Sequence, residues 1–214
     1  ILQNLQIELC CGGHKSLAEV CAEKKLDPEV VLTELLAGEN AGKPPEGKDW
    51  SAASMSELVD HLESTHHAYL LQAEPRLDSL LQKVISAHEK NHPELKDLGR
   101  LVKGFWIDMT SHLMKEERIL FAMIRDMDSS LEGGSHCPIA GPIRQMLHEH
   151  DVVTRILGQI RTITKEYTPP ADGCATYSAL MDELKTLETD TYIHIHKENA
   201  ILFAKALETA KTAG

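Results

Sequence analysis

From residue 51 onward, apolar positions recur at i, i+3, i+4 and i+7 through four long stretches, the spacing of one buried helix face. The first runs from about Ser54 to Lys90 and contains Pro75, a kink point. The second runs from about Pro93 to Met127 and ends before Gly133-Gly134. The third begins near Pro142 and stops before Pro169-Pro170, and the fourth runs from about Ala175 to Thr209. Four long helices joined by three short connections predict an all-α fold, an antiparallel four-helix bundle over residues 51–214. Ahead of it, Gly38 to Lys48 (GENAGKPPEGK) combines Gly, paired Pro and charge with no apolar period, which reads as the body of a linker over 38–50. Residues 1–37 carry two short helical patterns and predict a small helical N-terminal domain. In one, Ser16 and Glu19 have the spacing of a capping box. The other opens on Asp27-Pro28, an N-cap followed by Pro at the first helical position.

Charge and cysteine usage narrow the partners. The 22 Lys and Arg face 33 Asp and Glu, a net charge of −11, which argues against a grip on phosphate backbones. The two N-terminal helices suggest a helix-turn-helix, yet residues 1–47 hold four Lys and no Arg against eight acids, a poor surface for DNA. No apolar run reaches the roughly 18 residues of a membrane span. Neither nucleic acid nor membrane is therefore expected as a partner. The five Cys are odd in number, Cys10 and Cys11 are adjacent, and no secretory leader opens the chain. A disulfide framework is disfavoured and a reducing, cytoplasmic setting is expected. Cys21 and Cys174 read as small hydrophobes on helices, and Cys137 as a loop residue. Cys10-Cys11-Gly12-Gly13 stands apart. Vicinal thiols beside two glycines, near a helix start whose dipole favours thiolate, make a candidate pair for redox chemistry or for NO or iron transfer.

The strongest chemical signal is a repeat. His112-Leu-Met-Lys-Glu116-Glu-Arg-Ile-Leu-Phe-Ala recurs 82 residues later as His194-Ile-His-Lys-Glu198-Asn-Ala-Ile-Leu-Phe-Ala. Residues i and i+4 share a helix face, so each copy presents an imidazole and a carboxylate together. Both pairs fall in the apolar phase. His112 and Glu116 continue Leu98, Leu101, Phe105 and Met109 toward Ile119 and Met123, and His194 and Glu198 continue Leu180, Leu184, Leu187 and Thr191 toward Ile201. Ionisable groups in a core stripe are costly unless paired or bound to metal. One copy would suit a buried His–Glu hydrogen bond; two copies in one bundle point to metal.

Depth in the bundle supplies the partners. In the third helix Ile143, Met146, Leu147, Val153, Leu157 and Ile160 set the phase, and His150 fits it while His148 does not. His67 lies 13 residues in from Ser54, His112 lies 15 before Met127, His150 lies 8 past Pro142 and His194 lies 15 before Thr209. At about 1.5 Å per residue these levels agree within about two helical turns, near one end of the bundle. On the first helix, Val59, Leu62, Leu77, Leu80 and Val84 favour His66 over its neighbour His67, and Pro75 offers a phase shift; pattern leaves the two open. Four imidazoles and two carboxylates suit a pair of first-row metals, with iron the best match to mixed N/O ligation. Each Glu would bridge, leaving room for an oxo or hydroxo bridge or for O₂ or NO. Two rival motifs are weaker. His88-Glu-Lys-Asn-His92 matches HExxH, but Asn91 and Pro93 end a helix where both His would need one. Glu63-x-x-His66 matches one ferritin-type element, and no second helical copy accompanies it.

Taken in order, Cys10-Cys11-Gly12-Gly13, Pro44-Pro45, Asp49-Trp50, His66-His67-Ala68-Tyr69 and the two H-x-x-K-E-x-x-I-L-F blocks resemble the Repair of Iron Centres family over almost the whole chain. The resemblance implies a hemerythrin-like di-iron bundle behind a ScdA-type domain, incomplete here because the family has a longer stretch ahead of its Cys pair. It implies His67, His112, His150 and His194 as terminal ligands, with Glu116 and Glu198 bridging, and so selects His67. It further implies two non-haem irons, cytoplasmic action on iron–sulfur proteins damaged by nitrosative or oxidative stress, and NO or O₂ as small ligands. Iron would be donated, or would process NO; a second copy of the chain is a candidate partner. The competing expectation is a hemerythrin-like O₂ or NO carrier or sensor. Against it, Thr154 occupies the i+4 place after His150, where that class would call for a further His.

Overall fold

The computed structural model describes residues 17–32, 48–129 and 138–212. Cys10, Cys11 and Cys137, with the Ser16 half of the proposed capping box, lie outside these residues. Near the N-terminus, α1 (Leu17–Lys24) buries Cys21, and a helical turn follows at 28–32. Asp27 starts that turn as expected: its Oδ1 accepts the Glu29 N–H at 2.9 Å and its carbonyl accepts the Val31 N–H.

The remaining helices form four arms. The first is α2 (Met55–His61), a π-helical turn (Leu62–His67) and α3 (Ala68–His88). Ser54 begins it through a complete capping box, with Ser54 Oγ accepting the Glu57 N–H and Glu57 Oε2 accepting the Ser54 N–H. The second is α4 (Leu95–Lys115), a π turn (Glu116–Leu120) and α5 (Phe121–Ser129). The third is α6 (Ala140–Ile163). The fourth is α7 (Ala175–Lys197), a π turn (Glu198–Leu202) and α8 (Phe203–Thr212). The third arm reverses into the fourth through Lys165, Glu166 and Tyr167, all left-handed, with the Tyr167 N–H held by Thr164 Oγ1. Neighbouring arms run antiparallel. Arg76–Glu183 and His66–Asp190 tie the first to the fourth, Arg125 binds Asp60 and Glu63 across the first and second, and the part-buried Arg161–Glu188 pair joins the third and fourth. Among the described residues there is no strand, and no helix is long and apolar enough to cross a membrane.

The π turns correct the predicted stripes. A π turn closes i→i+5 and inserts one extra residue, rotating everything beyond it relative to an α-helix. The Phe121 N–H reaches the Glu116 carbonyl and the Phe203 N–H that of Glu198. The core phase therefore moves on by one. Leu120, Ile124, Leu202 and Ala206 are buried, while Ile119 is 53 % exposed and Met123 and Ile201 only partly covered. Leu147 is also more exposed than the pattern predicted. In the first arm the Ala68 N–H reaches the Glu63 carbonyl. This turn, rather than Pro75 within α3, shifts the phase between Leu62 and Leu77.

The buried residues form two apolar clusters. A large one contains Leu77, Leu98, Phe105, Leu157 and Leu184; a smaller one contains Leu58, Leu62, Phe121, Ile143 and Phe203. Between them, at the level of the three π turns, lies a layer of ionisable side chains.

Candidate metal centre

Six of those side chains, His67, His112, Glu116, His150, His194 and Glu198, are each at most 1 % exposed. They form two overlapping groups. One is His67, Glu116, His194 and Glu198, the other His112, Glu116, His150 and Glu198; in each, one potential ligand atom per residue lies within 4.8 Å of all the others. The imidazoles meet in pairs, His67 Nε2 with His194 Nε2 at 3.2 Å and His112 Nε2 with His150 Nε2 at 3.1 Å. The carboxylates lie between the pairs. Glu116 Oε2 is 3.3 Å from His112 Nε2 and 3.6 Å from His67 Nε2, and Glu198 reaches His194 Nε2 at 2.9 Å and His150 Nε2 at 3.2 Å. Both glutamates belong to both groups.

The outer nitrogens show what the inner ones can do. His67 Nδ1 donates to Glu117 Oε1 at 2.8 Å, His112 Nδ1 to Glu149 Oε2 at 3.1 Å and His150 Nδ1 to Asn199 Oδ1 at 2.8 Å. An imidazole that donates through Nδ1 presents a lone pair at Nε2. Lone pairs of His67, His112 and His150 thus converge with the carboxylate oxygens, and both oxygens of Glu116 and Oε2 of Glu198 are buried without a hydrogen bond. Such a set needs positive charge at its centre, and N/O donors of this kind fit iron or another first-row metal. The acidities show the same demand for positive charge. Burial works against a charge on His112, but Glu116 and Glu149 outweigh it and push its value up to about 10. Burial drives His194 below its ordinary value, and Glu198 sits well below the usual carboxylate range despite burial because of His194 and His150.

His66 is buried too, but both of its nitrogens are occupied. Nδ1 meets Asp190 Oδ1 at 2.9 Å and Nε2 accepts from Lys197 Nζ at 2.9 Å. Leu62 and His67, five residues apart across the π turn, share the inner face. Glu63 of the ferritin-type element is bound by Arg125 instead. His88 and His92 lie at the other end of α3 and its exit turn, and no third metal-capable group exists among the described residues. The sequence reading missed the outer acceptors, although the repeat carried their signal. Glu117 and Asn199 occupy the same place, directly after the shared Glu, in both copies. Glu149 directly precedes His150 and is itself fixed by Lys115 and by Gln145 at 2.8 Å.

Comparison with known proteins follows the same lines. Residues 57–206 match the hemerythrin HHE cation-binding domain, and residues 1–39 match ScdA_N, a domain of unknown function. The chain is 32 % identical over 207 residues to the iron-sulfur cluster repair protein YtfE of Musicola paradisiaca (strain Ech703), covering 97 % of this chain and 89 % of that protein. It is 33 % identical over 207 residues to the YtfE of Escherichia coli O157:H7, covering 97 % and 90 %. A buried His/Glu layer in a four-arm bundle, behind a ScdA_N segment, thus places this chain in the hemerythrin HHE family and, within it, in the Repair of Iron Centres family of YtfE proteins.

Proposed function

We propose that the protein binds two irons and uses them to restore iron–sulfur proteins damaged by nitrosative or oxidative stress. The observation that carries this reading is the sharing of Glu116 and Glu198 by two four-residue groups. His67 and His194 would hold one iron and His112 and His150 the other, with both glutamates common to the pair. When bound, the metals supply exchangeable Fe²⁺ as cargo and a place for NO or O₂. The residues contribute a cage whose only charges are its two carboxylates. Two carboxylates balance part of the charge, four imidazoles add none, and the apolar clusters on either side keep bulk water out. In this reading residues 1–37 act as a separate domain, joined through 38–50, whose Cys10 and Cys11 pass iron or NO to and from the damaged cytoplasmic target.

The carrier reading gains no support from the third arm. Thr154 stands where a further imidazole would be needed, its hydroxyl turned back onto the His150 carbonyl at 2.9 Å. The test is recovery of an iron–sulfur enzyme inactivated by NO, with a cysteine desulfurase supplying sulfur. Iron-loaded protein, apo-protein and Glu116→Ala are compared side by side. Recovery with the loaded protein alone is the expected result. Equal recovery in all three, or iron that resists a chelator while O₂ or NO binds reversibly, would favour a carrier or sensor.

A further inference from the structure

The end of the bundle beyond the large apolar cluster holds a second group of reactive side chains, which the proposed function does not use. Cys174 was expected to be a small hydrophobe within a helix. Instead it is the exposed N-cap of α7, with φ −82° and ψ 172°. The turn before it is tightly set. The Gly173 N–H donates to the Pro170 carbonyl at 2.9 Å, and a Cβ at position 173 would stand 2.9 Å from that oxygen. Only glycine lets the chain pass there, which fixes where Cys174 emerges.

Opposite it, His88 Nε2 lies 3.3 Å from Cys174 Sγ. His88 is the last residue of α3, its carbonyl accepts the Asn91 and His92 N–H groups, and its ring stands edge-on to Tyr177 at 5.4 Å. A second imidazole flanks the pair. His92 is held by Glu94 at 3.1 Å and Asp172 at 3.0 Å, which raise its pKa and favour its charged form. The His88 hydrogen bond, followed by the Tyr177 N–H at the helix start, pulls the Cys174 thiol down to about 7. The thiolate is the attacking form of cysteine, and exchange is fastest when the thiol's acidity lies near ambient pH.

We propose that Cys174 and His88 form a thiolate–imidazole pair that reacts with small disulfides, making Cys174 a reversible modification site. The Cys174 sulfur attacks one sulfur of R–S–S–R. The Cys174–S bond to that sulfur forms as the original S–S bond breaks, and the electron pair leaves on RS⁻, which takes a proton from water. Cys174 is oxidised to the mixed disulfide, the departing sulfur is reduced, and the disulfide is the oxidant. Twenty residues separate Cys174 from His194, about 30 Å along α7, so the adduct forms far from the metal layer.

The test treats the full chain with glutathione disulfide and follows the adduct at each cysteine by peptide mass spectrometry, across the pH range of imidazole and thiol titration. Cys174 should be modified with a rate midpoint near 7 while the buried Cys21 is spared, and bound iron should be unchanged. In His88→Gln the midpoint should rise by about one unit or more. A Cys174 that stays unmodified at neutral pH, or a midpoint unmoved in His88→Gln, would overturn the proposal. A second measurement does not depend on that variant's folding. The ultraviolet thiolate absorbance of wild type minus Cys174→Ser should titrate near 7; a midpoint near the free-cysteine value of roughly 8.5 would also overturn it.

Discussion

The ring of His66 lies parallel to that of His194, 1° between planes and 5.4 Å between centroids. In the other half of the layer the equivalent place belongs to Glu149, which directly precedes His150 as His66 precedes His67, and which accepts the His112 Nδ1–H. The two halves are therefore supported differently. His112 is anchored by a carboxylate fixed in turn by Lys115 and Gln145, whereas His194 Nδ1 is buried without a hydrogen-bond partner among the described residues.

An imidazole anchored by a carboxylate is the better oriented and more basic ligand, and losing such an anchor costs roughly 10- to 100-fold in metal affinity. Iron in the His67/His194 half should leave first. A chelator added to the reduced protein should remove iron in two phases, with Glu149→Gln accelerating the slower one. Iron counting and Mössbauer spectra at each stage check this. A single phase in wild type, or a slow phase indifferent to Glu149→Gln, would count against the asymmetry.

The phase shift at the second π turn is testable by stability alone. Leu120 is 1 % exposed against 53 % for Ile119. Leu120→Ala should cost about 2–5 kcal/mol through lost burial and a cavity, and Ile119→Ala no more than about 0.5 kcal/mol. Denaturant unfolding of the metal-free proteins measures both. The reverse order would mean that the helix continues with α periodicity through Glu116.

These positions also mark how far the sequence could be read. Arm boundaries, the start at Ser54 among them, and the His/Glu pairs were legible because each depends on spacing within one helical segment. The choice between His66 and His67, and the placement of Ile119, Met123 and Ile201, were not, because each lies at or just past an inserted residue that periodicity cannot detect. The π turns contain His67, Glu116 and Glu198. The local distortion that hid the phase coincides with the side chains of the buried His/Glu layer, in keeping with the concentration of π turns at functional sites. Cys174 was misread for another reason: Gly173 and Pro170 set the helix start immediately before it, which left the thiol on a cap instead of a buried face.

His92 should leave a pH signature on stability. Its pKa is raised, chiefly by Glu94 and then by Asp172, above the ordinary value of 6.5. A raised imidazole stabilises the fold fully below the unfolded value and loses that contribution as pH rises through the folded one. Wild type should therefore lose stability relative to His92→Gln as pH climbs from about 6.5 into the mildly alkaline range. Unfolding midpoints over that range supply the comparison. Parallel curves would mean that the Glu94 and Asp172 contacts do not bias His92 in solution.

The shared carboxylates make the sharpest demand on the metal assignment. Because Glu116 and Glu198 belong to both four-residue groups, replacing either with Ala removes a ligand from both metal positions. Each imidazole belongs to one group only, so His67→Ala or His112→Ala weakens a single position. Iron per chain should accordingly fall toward zero in Glu116→Ala and Glu198→Ala, and toward one in either His variant. His88→Ala and His92→Ala, at the far end of the bundle, should retain wild-type iron. Circular dichroism separates metal loss from unfolding, and Glu116→Gln keeps the side chain's volume while removing its charge. Mössbauer spectra of the His variants should show one iron environment where wild type shows two. Normal iron in both Glu→Ala proteins would remove the bridging assignment. Equal, partial losses in the Glu and His variants would mean that each glutamate serves only one metal.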